Sequence, residues 1–252
     1  MIPGALTADA TTFGLILVRT SAMILTVPGL GGHQVPNLVK ILLSACFAVL
    51  LFPLIPPPDL HGSPSGLAMA VLWETLVGTS LGTAVSAMVF AALAAGSAVD
   101  LQAGLANATL LDPGGSGSQP LLASFYQGLF LLAMFASDAH LGILQGLAHS
   151  FHWLPLGAPA TPHFASLGSL LQQAFSGFFA VTLSLCLPVM VGMLGVETIL
   201  AFQSRTMPQV NMLIVAAPLR ILAGWFLVGV SLPVTARTMD QILDSTVRLL
   251  GG

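Results

Sequence analysis

Long apolar runs, each closed by proline or glycine, organise this chain. Thr11–Val27 ends at Pro28–Gly29 and Gly31–Gly32, and Leu38–Ile55 ends at Pro56–Pro57–Pro58. After a Gly62–Gly66 loop, an apolar run extends from Leu67 to about Ala95. Leu121–Ala136 and Leu141–Leu156 follow, then Leu167–Phe202 and Gln209–Ala236. The last pattern, Met239–Leu250, reads as a separate amphipathic tail. None of these runs alternates with period two, so a lipid-facing barrel is excluded and helices remain as the backbone solution in an apolar medium. The fold class predicted is all-α, with polytopic membrane-type helical hairpins. Leu167–Phe202 exceeds the roughly 20 residues of one crossing, which predicts a kink at Pro188 or an opening at Gly177.

Composition strengthens this picture. Of 252 residues, 56% are hydrophobic and 6% charged, against about a quarter charged in soluble domains. So few charges do not cover a protein of this size in water; lipid or other apolar subunits must cover it. The net charge of -3, without a basic run, argues against a nucleic-acid partner. Met1–Ala10 has no Lys or Arg and does not read as a removable signal peptide. Cys46 and Cys186 sit in apolar runs without metal or redox spacing and are expected to be passive core residues.

Small residues recur at helical spacing. Glu74, Gly78, Gly82 and Ser86 form one stripe, flanked by Thr79, Thr83 and Ala87, and Gly96, Asp100 and Gly104 form another. Such stripes let helix backbones approach closely, either within one bundle or against other subunits. A carboxylate in an apolar run costs at least ~2.5 kcal/mol when unpaired. Glu74 and Asp100 are therefore expected to be partnered, protonated or in a water-filled space.

Between Gly96 and Pro120 the chain changes character. Leu111, Asp112, Pro113, Gly114, Gly115, Ser116, Gly117, Ser118, Gln119 and Pro120 form a glycine-rich stretch with no aliphatic or aromatic residue after Leu111. On residues alone it reads as a linker. His140, His149 and His152 complete no ligand set with Cys or a third spaced His, so interfacial or capping roles suit them. Trp153 beside them suits an aqueous–apolar boundary. No nucleophile–base order, phosphate loop or cofactor motif is present.

Several motifs match one family. Gly96…Asp100–Leu101–Gln102–Ala103–Gly104, then Leu111–Asp112–Pro113, resembles a signature of the FliR family of flagellar type III export proteins. Arg205, Pro208–Gln209–Val210–Asn211 and Pro218–Leu219–Arg220 resemble its second signature. Arg19 with Val27–Pro28, Pro36 and Lys40, and Glu74 with Gly78 and Gly82, fit as well, so the resemblance covers about residues 12–236. The chain departs at Ala216, where the family commonly has glycine, at Arg220, where it has lysine, and at Glu197 in a long apolar helix.

The resemblance implies an export-gate subunit that joins FliP-like and FliQ-like subunits, adjoins an FlhB-like one, and passes unfolded export substrates. The gate would lie in the bacterial inner membrane, in contact with lipid, and stand largely on its periplasmic side. Residues 1–165 would be FliP-like and 166–252 a FliQ-like hairpin with the tail. The stretch from Leu111 to Pro120 would be a pore plug, and Arg205, Pro208, Gln209 and Asn211 a turn at the cytoplasmic entrance. Injectisome homologues of the SctT group share the role. Glu197 and Arg220 lie at similar distances from that turn, which makes them candidates for pairing. A small secondary transporter or channel subunit is the alternative from another class, with Glu74, Asp100 and Glu197 as intramembrane acids.

Overall fold

In a computed structural model of the chain, the described residues are 3–28, 31, 35–58, 64–105, 120–157, 161–206 and 212–251. They form helices α1 (Pro3–Thr26), α2 (Asn37–Leu51), α3 (Pro64–Ala103), α4 (Leu121–Ala136), α5 (Ala139–Trp153), α6 (Thr161–Thr206) and α7 (Met212–Gly251). A short 3-10 turn, Phe52–Leu54, extends α2. Among the described residues there is no strand, as the absence of period-two alternation predicts.

Among the described residues, four single helical stretches are long and apolar enough to cross a membrane: Asn37–Leu54, Ser65–Ala103, Phe164–Thr206 and Ala216–Met239. Their self-burial differs. Within the chain 72% of the α3 window is buried, against 17%, 28% and 22% of the other three. At 1.5 Å per residue, the 40-residue α3 and the 46-residue α6 run to roughly 60 Å or more, about twice the hydrocarbon thickness of a bilayer.

The chain divides into two compact units, each assembled from separate segments. One comprises Met1–Ala87, Ala139–Ser176 and Thr246–Gly252, the other Met88–Asp138 and Gly177–Ser245. In the first, Leu15, Ile16, Met23, Trp73, Val77, Leu81 and Val85 pack with Leu147, Phe151, Leu154 and Leu167. In the second, the latter half of α3 meets α4 at Gly96, where an added Cβ would lie 2.5 Å from Ala123 Cα. Gly224 of α7 approaches Ala103, and Phe125 and Trp225 meet edge to face at 6.4 Å.

Three expectations need correction. α6 continues as helix through Gly177, so the chain does not open there, and Pro188 lies inside the same helix. A proline removes one backbone donor and crowds the preceding turn, and here the apolar helix carries on past it. The C-terminal tail is continuous with α7, which also runs through Pro218 and Pro233. Cys46 is exposed, although Cys186 is buried. The reason lies in α2, which buries the stripe Lys40, Ser44 and Ala48 against its own chain. Its other side carries Leu38, Ile41, Leu42, Val49 and Leu50, 60–67% exposed and uncharged. Cys46 lies on the uncovered side.

Candidate functional site

The polar groups of the first unit converge on Arg19, a fully buried cation. Its Nε donates to Glu74 Oε2 at 2.6 Å, Nη1 to Ser150 Oγ at 3.2 Å and Nη2 to the Leu154 carbonyl at 2.8 Å. Its guanidinium also lies 4.1 Å from the Phe151 ring centroid. Glu74, likewise fully buried, accepts a second hydrogen bond at Oε1 from the Gly157 amide at 3.0 Å. Every participant has a physical reason to be there. α5 ends at Trp153, and the Leu154 carbonyl just beyond that end carries the negative pole of the helix, which favours a cation. Gly157 has φ 79°, a left-handed conformation that suits glycine and turns its N–H toward the carboxylate. The cluster thus ties α1, α3 and the end of α5 together.

The first small-residue stripe serves the same junction. An added Cβ at Gly78 would meet the Arg19 carbonyl and lie 2.8 Å from Ala22 Cβ; at Gly82 it would meet Thr26 Oγ1 and lie 2.8 Å from the Met23 carbonyl. Ser86 Oγ donates to the Thr26 carbonyl at 2.7 Å. Glu74, Gly78, Gly82 and Ser86 therefore all face α1, which runs in the same direction as α3. Of the two readings of this stripe, packing within the chain is the one realised. The glycines bring the backbones close enough for Glu74 to reach Arg19.

In the second unit, buried Asp100 accepts from the Ala123 amide at 3.0 Å through Oδ2, while its Oδ1 has no hydrogen-bond partner. Ala123 is the third residue of α4, whose N-cap position holds Pro120, a residue without a capping side chain. Asp100 supplies the missing acceptor from another helix, and its negative charge suits the positive end of α4. Close approach at Gly96 makes this possible. Gly104, placed in the same stripe by spacing, instead terminates α3: it has φ 78°, and the Leu105 amide donates back to the Asp100 carbonyl at 3.1 Å. Replacing Asp100 with alanine should cost about 0.5–2 kcal/mol, the usual worth of a helix cap. Asp100→Asn keeps an acceptor and should stay near the native midpoint. Thermal unfolding of the purified protein would compare them, and equal midpoints for all three would remove the capping role.

Of the proposed loop, Pro120 is described and half-buried, and Leu111, Asp112, Pro113, Gly114, Gly115, Ser116, Gly117, Ser118 and Gln119 lie outside the described residues. Arg205 is exposed in the last turn of α6, while Pro208, Gln209 and Asn211 lie outside them. The candidate pair Glu197–Arg220 is not made: among the described residues the ion pair formed is Arg19–Glu74, and Arg220 Nε is buried without a partner. Sequence reasoning named Arg19 and Glu74 without joining them. Two isolated opposite charges in a chain this poor in charge were the available signal; Ser150, Leu154 and Gly157 gave none.

Arg19 and Glu74 are sealed from solvent and bonded to fixed protein groups, so neither is available to a substrate. With its long apolar helices, the chain is of a class defined by assembly in a membrane rather than by a reaction centre. It belongs to the bacterial export proteins, family 1, whose model matches residues 10–246. It is 29% identical over 241 residues to the flagellar biosynthetic protein FliR of Bacillus subtilis (strain 168), covering 94% of this chain and 92% of that one. With FliR of Pectobacterium carotovorum subsp. carotovorum it shares 31% over 238 residues, 92% of this chain and 88% of that one. The Yop proteins translocation protein T of Yersinia pestis is 25% identical over 228 residues, 87% of this chain and 85% of that protein. The chain is thus a membrane component of a type III export apparatus, not an enzyme, and it works in association with other export subunits.

Proposed function

We propose that this chain is the FliR-type subunit of a flagellar export gate. With FliP-like and FliQ-like subunits, beside an FlhB-like one, it lines the pore through which unfolded substrates cross the inner membrane. The observation that carries this reading is the family match over residues 10–246. Two features support it. Uncovered apolar side chains recur along α6 at Phe175, Phe179, Leu183, Leu187, Val191 and Leu194, 49–63% exposed, a surface suited to neighbouring helices. The lengths of α3 and α6 suit helices that stand beyond one bilayer, toward the periplasmic side. Residues 1–165 act as the FliP-like part and 166–252 as the FliQ-like hairpin, with Arg205–Asn211 at the cytoplasmic entrance. The transporter reading is disfavoured because Glu74 is committed to Arg19 and Gly157 rather than open to a cargo ion.

Leu111–Pro120 is the plug of this pore. Its glycines yield easily to a passing chain, and a segment poor in side chains makes few contacts to break. Co-expression with FliP-like and FliQ-like chains should give one stable complex. The same complex lacking Asp112–Gln119 should assemble normally, secrete, and raise membrane conductance to small ions. Failure to co-purify would remove the gate reading. Normal assembly of the deletion with unchanged conductance would remove the plug and return the segment to a linker.

A further inference from the structure

Glu74, Asp100 and Glu197 are the acids of α3 and α6. The first two are fully buried and bonded within the chain. Glu197 differs: it is partly exposed, and its carboxylate makes no ion pair among the described residues. Its surroundings on α6 are largely apolar. Leu194 and Ala201, one turn to either side on its own face, are exposed, and Val191 and Phe202 flank them at 63% and 65% exposure. The end of the helix at Thr206 is roughly 14 Å further along the axis. A short acidic side chain does not reach polar surroundings there.

A base on the adjoining helix is the obvious partner, and it is not used. Gly192 of α6 meets α7, where an added Cβ would lie 2.6 Å from Leu227 Cδ2. The two helices run in opposite directions from residues 207–211, so this contact puts Glu197 and Arg220 at nearly one level. They nevertheless form no ion pair. Whatever covers this side of α6 must therefore suit both Leu194 and the carboxylate. Hydrocarbon suits the leucine and strands the acid, since acids within apolar spans face a bundle interior and pair there. A phospholipid phosphate has the wrong sign. Water suits the acid and leaves Val191, Leu194 and Phe202 bare. An apolar helix with one basic side chain suits both. We propose that Glu197 is a docking residue for a neighbouring export subunit. It takes an arginine or lysine from an apolar helix packed along Val191, Leu194 and Ala201. The inference rests on the gate reading only for the presence of that neighbour, and not on the pore or plug.

The test uses the co-purified complex, with a photoreactive phenylalanine analogue placed at Leu194 or, in a second preparation, at Ala201, so that Glu197 itself is unchanged. Illumination should give a cross-link to another subunit, and digestion should map it within about one helical turn of an arginine or lysine there. Glu197→Lys should lower the yield of complex several-fold, and Glu197→Gln should lower it less. Replacing the mapped base by glutamate should restore the yield of Glu197→Lys. If the reversed pair fails to accumulate, the cross-links still decide. Cross-links confined to lipid or to this chain, or to a helix without a base in reach, would overturn the proposal. So would native yield of Glu197→Lys, or its recovery by Arg220→Glu, since the pair would then lie within the chain. Absence of any complex with the unaltered chain would instead remove the gate reading.

Discussion

Glu74→Ala should sharply lower the amount of this chain in the membrane fraction and the yield of complex purified with it. The substitution leaves the Arg19 guanidinium fully buried without its counter-charge and the Gly157 amide without an acceptor. Removing one partner of a buried pair costs about 3–5 kcal/mol, a large part of the roughly 5–15 kcal/mol that holds an ordinary domain folded. Arg19→Met should be comparably damaging, because it strands the carboxylate. The double variant Arg19→Met, Glu74→Leu should recover relative to either single change, since no lone charge remains. It should stay below the native level, because the Leu154 carbonyl and the Gly157 amide each lose a partner, at about 1–3 kcal/mol for a buried unsatisfied group. Quantitative blotting and complex yield read the cycle. Native abundance of Glu74→Ala, or a double variant as poor as the sum of the singles, would show that the pair does not tie these helices together.

The second large effect is expected at Gly78. Even alanine there places a methyl against the Arg19 carbonyl and 2.8 Å from Ala22 Cβ. The carbonyl belongs to the backbone of α1 and cannot rotate aside, so α1 and α3 must separate, at about 1–3 kcal/mol for overpacking. Separation also stretches the Arg19–Glu74 bond, so the loss should be coupled to that of Glu74→Ala rather than additive with it. Gly82→Leu, with Thr26 and the Met23 carbonyl in its way, should prevent assembly altogether. Gly14→Ala is the control: it lies on α1 with nothing within 4 Å of the added Cβ. That change should be neutral or stabilising by up to about 1 kcal/mol through helix propensity. Complex yield across the set is the measurement, and equal yields for Gly78→Ala and Gly14→Ala would show that the stripe is not a close crossing.

Much of this was legible in the residues. Apolar run length and the absence of period-two alternation fixed an all-helical chain, because an apolar medium leaves the backbone few other ways to satisfy its hydrogen bonds. The proline and glycine punctuation located the ends of α2 and α4 closely, and the motifs around Asp100 and Pro208 identified the family. Helix interiors were less legible. Gly177 was a candidate opening in Leu167–Phe202, yet α6 is helical through it, since local propensity is a weak constraint on a long apolar helix. Cys46 read as core from its neighbours, yet it lies on the uncovered face of α2. In a chain that is apolar on nearly every side, hydrophobicity does not distinguish the face that meets its own chain from the face left for lipid or another subunit.

By itself, then, the sequence determined the fold class, the family and the need for Glu74 and Asp100 to find partners. Tertiary structure alone decided which partners. Arg19 is 55 residues from Glu74, and Ser150 is 131 from Arg19; no helical periodicity extends over such separations. Asp100 caps a helix that begins 21 residues later in the chain, at Leu121. The glycines carry the same lesson. Gly78 and Gly104 share a spacing pattern with an acidic neighbour, but one is a contact and the other a helix stop. A missing side chain permits both close approach and a left-handed turn, and only the neighbouring backbone selects between them.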